Sequence, residues 1–164
     1  MVSVQEYLTT SYEGDREYVD GEILERHSGE QAHSSAQGAV GFFLFQREAQ
    51  ARVRTLMSQR LRVGPTRFRV PDICVLMASD PRDPIVSQPP FLCVEILSSV
   101  DTALRLNGKL ADYFQMGVRY VWVLDPLTRR AFCYTPGQMH EVLDGILRTN
   151  DPDILVPLDE VFEA

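Results

Sequence analysis

Phe91-Leu92-Cys93-Val94-Glu95-Ile96-Leu97 is a seven-residue run with six apolar side chains and one carboxylate. Phe91, Cys93 and Leu97 fall on one face, Leu92, Val94 and Ile96 on the other. A strand that is apolar on both sides belongs in the middle of a sheet covered on both faces. Downstream, residues 102–116 have the pattern of a helix that ends at Gly117. Tyr120-Val121-Trp122-Val123-Leu124 is then a second strong strand, closed by Asp125-Pro126. Strand, helix, strand over 91–124 is a βαβ unit, which implies a parallel pair and a right-handed crossover. The fold class this predicts is α/β, a mixed central sheet flanked by helices.

The rest of the chain fits around that unit. Upstream, Val70-Pro71-Asp72-Ile73-Cys74-Val75-Leu76 is another largely apolar strand. A proline-rich surface loop over 78–90 joins it to the first, so the two are expected to pair. Met57 to Val63 alternates in part, and Gly64-Pro65-Thr66-Arg67 is a turn; together they suggest a hairpin leading into that strand. Residues 32–52 have the spacing of one long helix. Arg16 to Arg26 form a hairpin around the turn signal Asp20-Gly21. Ser3-Val4-Gln5-Glu6 is a capping box that starts a short helix. Ala131 to Thr135 pairs back on the sheet, with a further hairpin or loops from Gly137. At 164 residues the chain suits a single domain, 1–164.

Composition narrows the function. The net charge of −7 disfavours a module that grips nucleic acid by phosphate neutralisation alone. It leaves room for an enzyme whose local field comes from a bound metal ion. Cys74, Cys93 and Cys133 sit in apolar runs without zinc-type spacing and read as reduced core thiols, with Trp122 as core too. No run is long enough to span a membrane, and the N-terminus lacks signal-peptide regions, so a cytoplasmic location is expected. Only one of the 16 basic residues is lysine, Lys109.

Glu95 is the residue that does not belong. An unpaired carboxylate in a buried strand costs several kcal/mol, so a cation must compensate it or a proton must neutralise it. Asp72 repeats the pattern on the neighbouring strand. Two acids on one sheet face repel unless a divalent ion sits between them, and hard oxygen ligands suit Mg²⁺ or Mn²⁺. The bland alternative makes Asp72 an ordinary turn acid beside Pro71 and pairs Glu95 with an arginine such as Arg69.

Pro71-Asp72 followed by Glu95-Ile96-Leu97 resembles the PD-(D/E)XK nuclease superfamily, a restriction-endonuclease-like core. More specifically, the chain is similar to the Uma-type family of bacterial restriction-endonuclease-like proteins over nearly its whole length. Glu17-Tyr18-Val19-Asp20-Gly21-Glu22 resembles that family's first hairpin, and His33 stands where its helix begins with a histidine. Lys109-Leu110-Ala111-Asp112-Tyr113, with Gly117-Val118 and Val121 to Pro126, resembles its helix-then-strand segment. The resemblance implies a metal-dependent endonuclease acting on DNA. Asp72 and Glu95 would hold Mg²⁺ or Mn²⁺ with help from the Ile96 carbonyl, and Glu17 would be a further ligand, with Glu22 as runner-up. The superfamily pattern wants lysine where this chain has Leu97, and Lys109 stands for the lysine moved to the following helix. Arg105 replaces an acid expected one turn earlier. His33 is a base or phosphate contact, or simply a capping or exposed residue.

Cutting both strands favours a homodimer, with Ile154, Leu155, Val156, Val161 and Phe162 as one candidate interface. The alternative function is a catalytically inactive member of the fold acting as a binding or assembly module. A metal-dependent hydrolase of a non-nucleic substrate is more distant.

Overall fold

The computed structural model describes residues 1–27 and 29–162. Helix α1 (Val4–Thr9) starts at Ser3, whose hydroxyl accepts from the Glu6 amide, and buries Tyr7. Strands β1 (Arg16–Val19) and β2 (Glu22–Glu25) form the first hairpin. Asp20 and Gly21 both have positive φ at its turn (49° and 99°), the geometry that two-residue hairpin turns of type I′ require.

The long helical stretch is two pieces, α2 (Gln31–Gln46) and α3 (Glu48–Ala51). The break is at Arg47, whose amide turns back to Leu44 and Phe45, and Arg52 then adopts a left-handed conformation. Neither glycine nor proline marks these positions, so the expected single helix over 32–52 ends early.

Strands β3 (Val53–Met57), β4 (Leu61–Gly64), β5 (Arg67–Arg69) and β6 (Ile73–Met77) follow. The turn at 64–67 does make a hairpin, but it joins β4 to β5 and residue 57 lies in a different sheet. Next come β7 (Leu92–Ile96), α4 (Ala103–Met116), β8 (Tyr120–Asp125), β9 (Arg130–Thr135) and β10 (Gln138–Glu141). A last hairpin of β11 (Ile146–Thr149) and β12 (Ile154–Pro157) leads into α5 (Leu158–Val161).

The main sheet runs β10-β9-β8-β7-β6-β3; its β7–β8 pair is parallel, as the βαβ reading requires, and its other pairs are antiparallel. A smaller antiparallel sheet runs β2-β1-β5-β4. One face of the main sheet (Ile73, Val75, Leu92, Val94, Trp122, Leu124) packs on Ala36, Val40 and Leu44 of α2 and on the C-terminal segment. The other (Cys74, Leu76, Cys93, Val121, Val123) packs on Leu110 and Tyr113 of α4. The C-terminal interface expectation is therefore corrected. Ile154, Val156, Val161 and Phe162 are buried in this chain's own core, and Leu155 alone of the five is exposed. The cysteines are free and buried. No helix among the described residues is long and apolar enough to cross a membrane.

Helix α4, which carries Lys109, is fixed at both ends. Thr102 caps it by accepting from the Arg105 amide, and Gly117 ends it at φ 107° with bonds back to Tyr113 and Phe114. A Cβ at Gly117 would also come within 3.1 Å of Pro89 Cγ. Gly117→Ala is expected to lower unfolding stability by about 1–2 kcal/mol, the left-handed penalty for an L-residue. Urea denaturation midpoints measure this; an unchanged midpoint would show that the helix end relaxes freely.

Candidate active site

Three acids from three elements meet at the end of the main sheet where β7 finishes. Ile73 pairs with Val94 across the β6–β7 ladder, so one further step of that register sets Asp72 opposite Glu95. Side chains directly opposite in an antiparallel pair point to the same face. Glu17 comes from β1 of the smaller sheet and is completely buried.

Each acid is held by donors. Asp72 Oδ2 accepts from the Ile96 amide at 2.7 Å, and Oδ1 accepts from Arg26 Nη2 at 2.8 Å. His33 Nε2 lies 3.2 Å from the same Oδ1, close enough for charge attraction but off the line of a hydrogen bond. His33 is buried, so the expectation of an exposed or capping histidine is corrected. The Asp72 carboxylate at 3.2 Å holds its imidazole above the ordinary histidine value, against the opposing pull of burial.

Glu95 is gripped from α4. Lys109 Nζ is 3.2 Å from Oε2, and the Tyr113 hydroxyl donates to Oε1. Lys109 and Tyr113 are four residues apart and so share a helix face. Burial pushes the Glu95 carboxyl up to about 7; Lys109 opposes this, while the charges of Asp72 and Glu17 add to it. Burial also pulls Lys109 down, yet the surrounding Glu95, Glu17 and Asp72 charges keep its ammonium above the ordinary lysine value. Glu17 Oε1 accepts from the Val70 amide at 2.9 Å and stands 3.8 Å from Lys109 Nζ. Its Oε2 pairs with Arg69 at 3.1 Å. Arg69 in turn binds Asp112 of α4 at 2.7 Å, which locks the small sheet to the helix.

The sequence candidates thus separate. Asp72, Glu95, Lys109, Glu17, His33 and the Ile96 backbone come together. Glu22 is exposed on β2. Arg69 serves Glu17 and Asp112, so the cation at Glu95 is Lys109. Arg105, the departure one turn before the lysine, reaches away to His27 and the Glu25 carbonyl. Sequence reading missed Arg26, Tyr113 and the Arg69–Asp112 pair as site components. Tyr113 had a signal, its spacing of four from Lys109; Arg26 had none.

The donor set fits Mg²⁺ in kind. That ion is normally held by one or two carboxylates, with waters and substrate phosphate completing its octahedron. Asp72 and Glu95 supply two, and a main-chain carbonyl at Ile96 is a third hard oxygen. Among the described residues no three His, Cys, Asp or Glu side chains form a cage of their own.

A family model described as "Putative restriction endonuclease", Uma2, matches residues 4–159. A solved structure, described as a "putative nuclease belonging to DUF820" from Anabaena variabilis, superposes with a TM-score of 0.85. It is 21% identical in sequence, and the match covers 99% of this chain and 98% of that one. At that identity the likeness establishes the fold alone, α/β with a mixed central sheet flanked by helices. No curated protein matches the sequence.

Proposed function

Since this chain belongs to the Uma2 family, "Putative restriction endonuclease", we propose that it is a divalent-metal-dependent endonuclease that hydrolyses phosphodiester bonds in DNA. The observation that carries this reading is the meeting of Asp72 and Glu95 at one strand end, with Lys109 Nζ 3.2 Å from Glu95. A buried acid pushed to about 7 by burial and by neighbouring acids is an acid short of positive charge. Strongly perturbed groups of this kind cluster at functional sites.

Asp72, Glu95 and the Ile96 carbonyl would hold Mg²⁺ or Mn²⁺, and Glu17 would stand behind them as a charge held by Arg69. The ion supplies Lewis-acid polarisation of the phosphoryl group. Lys109 contributes a fixed positive charge where negative charge develops in the transition state. Tyr113 and the Ile96 amide are positioning groups, one fixing the Glu95 carboxylate and the other the Asp72 carboxylate. His33, held toward its protonated form by Asp72, would be the residue that contacts a phosphate oxygen. Cutting both strands calls for two such sites, so a homodimer is part of the proposal.

A second reading, an inactive nuclease fold that binds without cutting, is favoured by one observation. The oxygens of Asp72 and Glu95 are already engaged by protein donors.

One assay separates the two. Supercoiled plasmid is incubated with the wild type and with Asp72→Ala across Mg²⁺ and Mn²⁺ concentrations, with a chelator control. Nicked or linear product is expected from the wild type with metal, and none with chelator or from the variant. No cleavage at any metal level, or equal cleavage by the variant, overturns the nuclease reading. DNA binding that survives Asp72→Ala without cleavage supports the inactive one.

A further inference from the structure

Against Asp72 lies a cleft of about 260 Å³, lined by Asp15, Arg16, Arg26, Gln37 and Ser58 as well as Gly14. That is well above the roughly 10–15 Å³ needed to hold one water. Its innermost cation is Arg26, whose side chain is only 9% exposed. Arg26 Nη2 holds Asp72 at 2.8 Å, while Nη1 reaches Asp15 at 3.3 Å and Ser58 at 3.4 Å. Arg16, 22% exposed, stands at the rim, where Gly14 has a positive φ of 76° and a Cβ would come within 3.3 Å of Arg16 Nη1. Gln37 follows His33 by one turn on the same face of α2 and donates to the Asp72 carbonyl at 3.0 Å. His33 is buried with neither ring nitrogen on a hydrogen-bond line.

A guanidinium is costly to bury, and its planar fork suits a tetrahedral oxyanion in two-point contact. Arg26 spends that fork on two separate carboxylates, and one of them, Asp15, is half-exposed at the rim and displaceable. The Ser58 hydroxyl and the Gln37 amide line the same cleft. In a chain with a net charge of −7, a polyanionic substrate needs such a local cationic seat.

We propose that this cleft seats a phosphodiester group of the nucleic-acid substrate, clamped by Arg26 with Arg16 at the rim. The proposal rests on the nuclease reading and names the substrate contact that reading lacks. Asp15 gives way to the incoming phosphate, and Ser58 and Gln37 donate to its oxygens.

The test reads binding, so it is separable from cleavage. A fluorescein-labelled DNA duplex is titrated by anisotropy with Ca²⁺ in place of Mg²⁺, between 50 and 200 mM KCl. Arg26→Ala is expected to weaken binding and to flatten the slope of log K against log salt by about 0.9, the loss of one phosphate contact. Arg26→Lys is expected to keep the slope while losing part of the affinity. Arg82→Ala, in the loop after β6 at the other end of that strand from Asp72, is expected to change neither. Thermal melts check folding; if Arg26→Ala fails to fold, Arg16→Ala must show the reduced slope instead. An unchanged slope in folded Arg26→Ala, or in Arg16→Ala where Arg26→Ala fails to fold, overturns the proposal, as does a wild type that binds no duplex. A wild type that binds with the expected slopes but never cuts leaves the clamp standing and removes the nuclease reading.

Discussion

Glu95→Gln is expected to abolish metal-dependent cleavage while making the metal-free protein more stable at neutral pH. The stability half follows from the sign of the carboxyl's shift. In the folded chain burial holds the Glu95 proton up to about 7, against an ordinary value of 4.5. The folded state therefore binds more protons than the unfolded one between those values. Stability from this group is fully present below about 4.5 and is lost as pH rises to about 7, the reverse of the usual carboxylate. Glutamine is a neutral isostere that keeps an acceptor for Tyr113, so it removes that loss. At pH 8 in chelator the variant is expected to gain about 1–3 kcal/mol in urea denaturation, and at pH 5 nearly nothing. His33 also titrates, but it does so in both proteins and drops out of the difference. The functional half follows from the lost ligand charge. Partners one shell further out cost 10–100-fold in metal affinity, so loss of the ligand should cost about 100-fold or more by Mn²⁺ calorimetry. Mg²⁺ should then raise the melting temperature of the wild type only. A variant less stable than wild type at pH 8 would make Glu95 a structural ion-pair partner. A variant that cuts normally would remove it from the site.

This opposition of stability and charge is why the site was partly readable from sequence. Glu95 stands out because its six neighbours are apolar and its strand is two-sided, a local conflict visible without any structure. The βαβ unit around it was legible for the same reason, helped by the glycine at 117. What was not legible depended on distance or on unmarked backbone. Arg26 reaches Asp72 across 46 positions of chain, and Arg69 reaches Glu17 across 52. No spacing rule spans such intervals. The break at Arg47 has no glycine or proline to announce it. The C-terminal segment misled because its apolar residues alternate as on a half-exposed strand. Ile154 and Val156 face inward onto the α2 side while Leu155 faces out, so the hydrophobic pattern was sound and the neighbour covering it was unknown. Glu17 and Lys109 rested on resemblance, and the structure supplies their physical connection, a shared contact at 3.8 Å.

Lys109→Met is expected to cut the cleavage rate of the folded protein by about 10²–10⁴-fold, the range for losing a group aimed at developing transition-state charge. The difficulty is that Lys109 also holds the fold. Its ammonium lies 3.2 Å from Glu95 and 3.8 Å from Glu17, both buried, and breaking a buried pair usually costs about 3–5 kcal/mol. Glu95 can lower that cost by taking a proton, which it already does near 7 in the wild type. The variant should therefore be strongly destabilised at pH 8 and much less so at pH 5.5, in parallel urea melts. Methionine retains the aliphatic stem that packs beneath the charge, so packing is not the variable. Arginine is no conservative control, since the void beside Lys109 is only about 10 Å³ and a planar fork does not fit it. Manganese then separates the two roles. With the ammonium gone, a divalent ion is the remaining positive charge for Glu95, so saturating Mn²⁺ should restore much of the stability at pH 8. If Lys109 only props the fold, the cleavage rate must return with the stability. If its charge acts on the transition state, stability returns and the rate stays down by the same 10²–10⁴-fold, which is the result expected here.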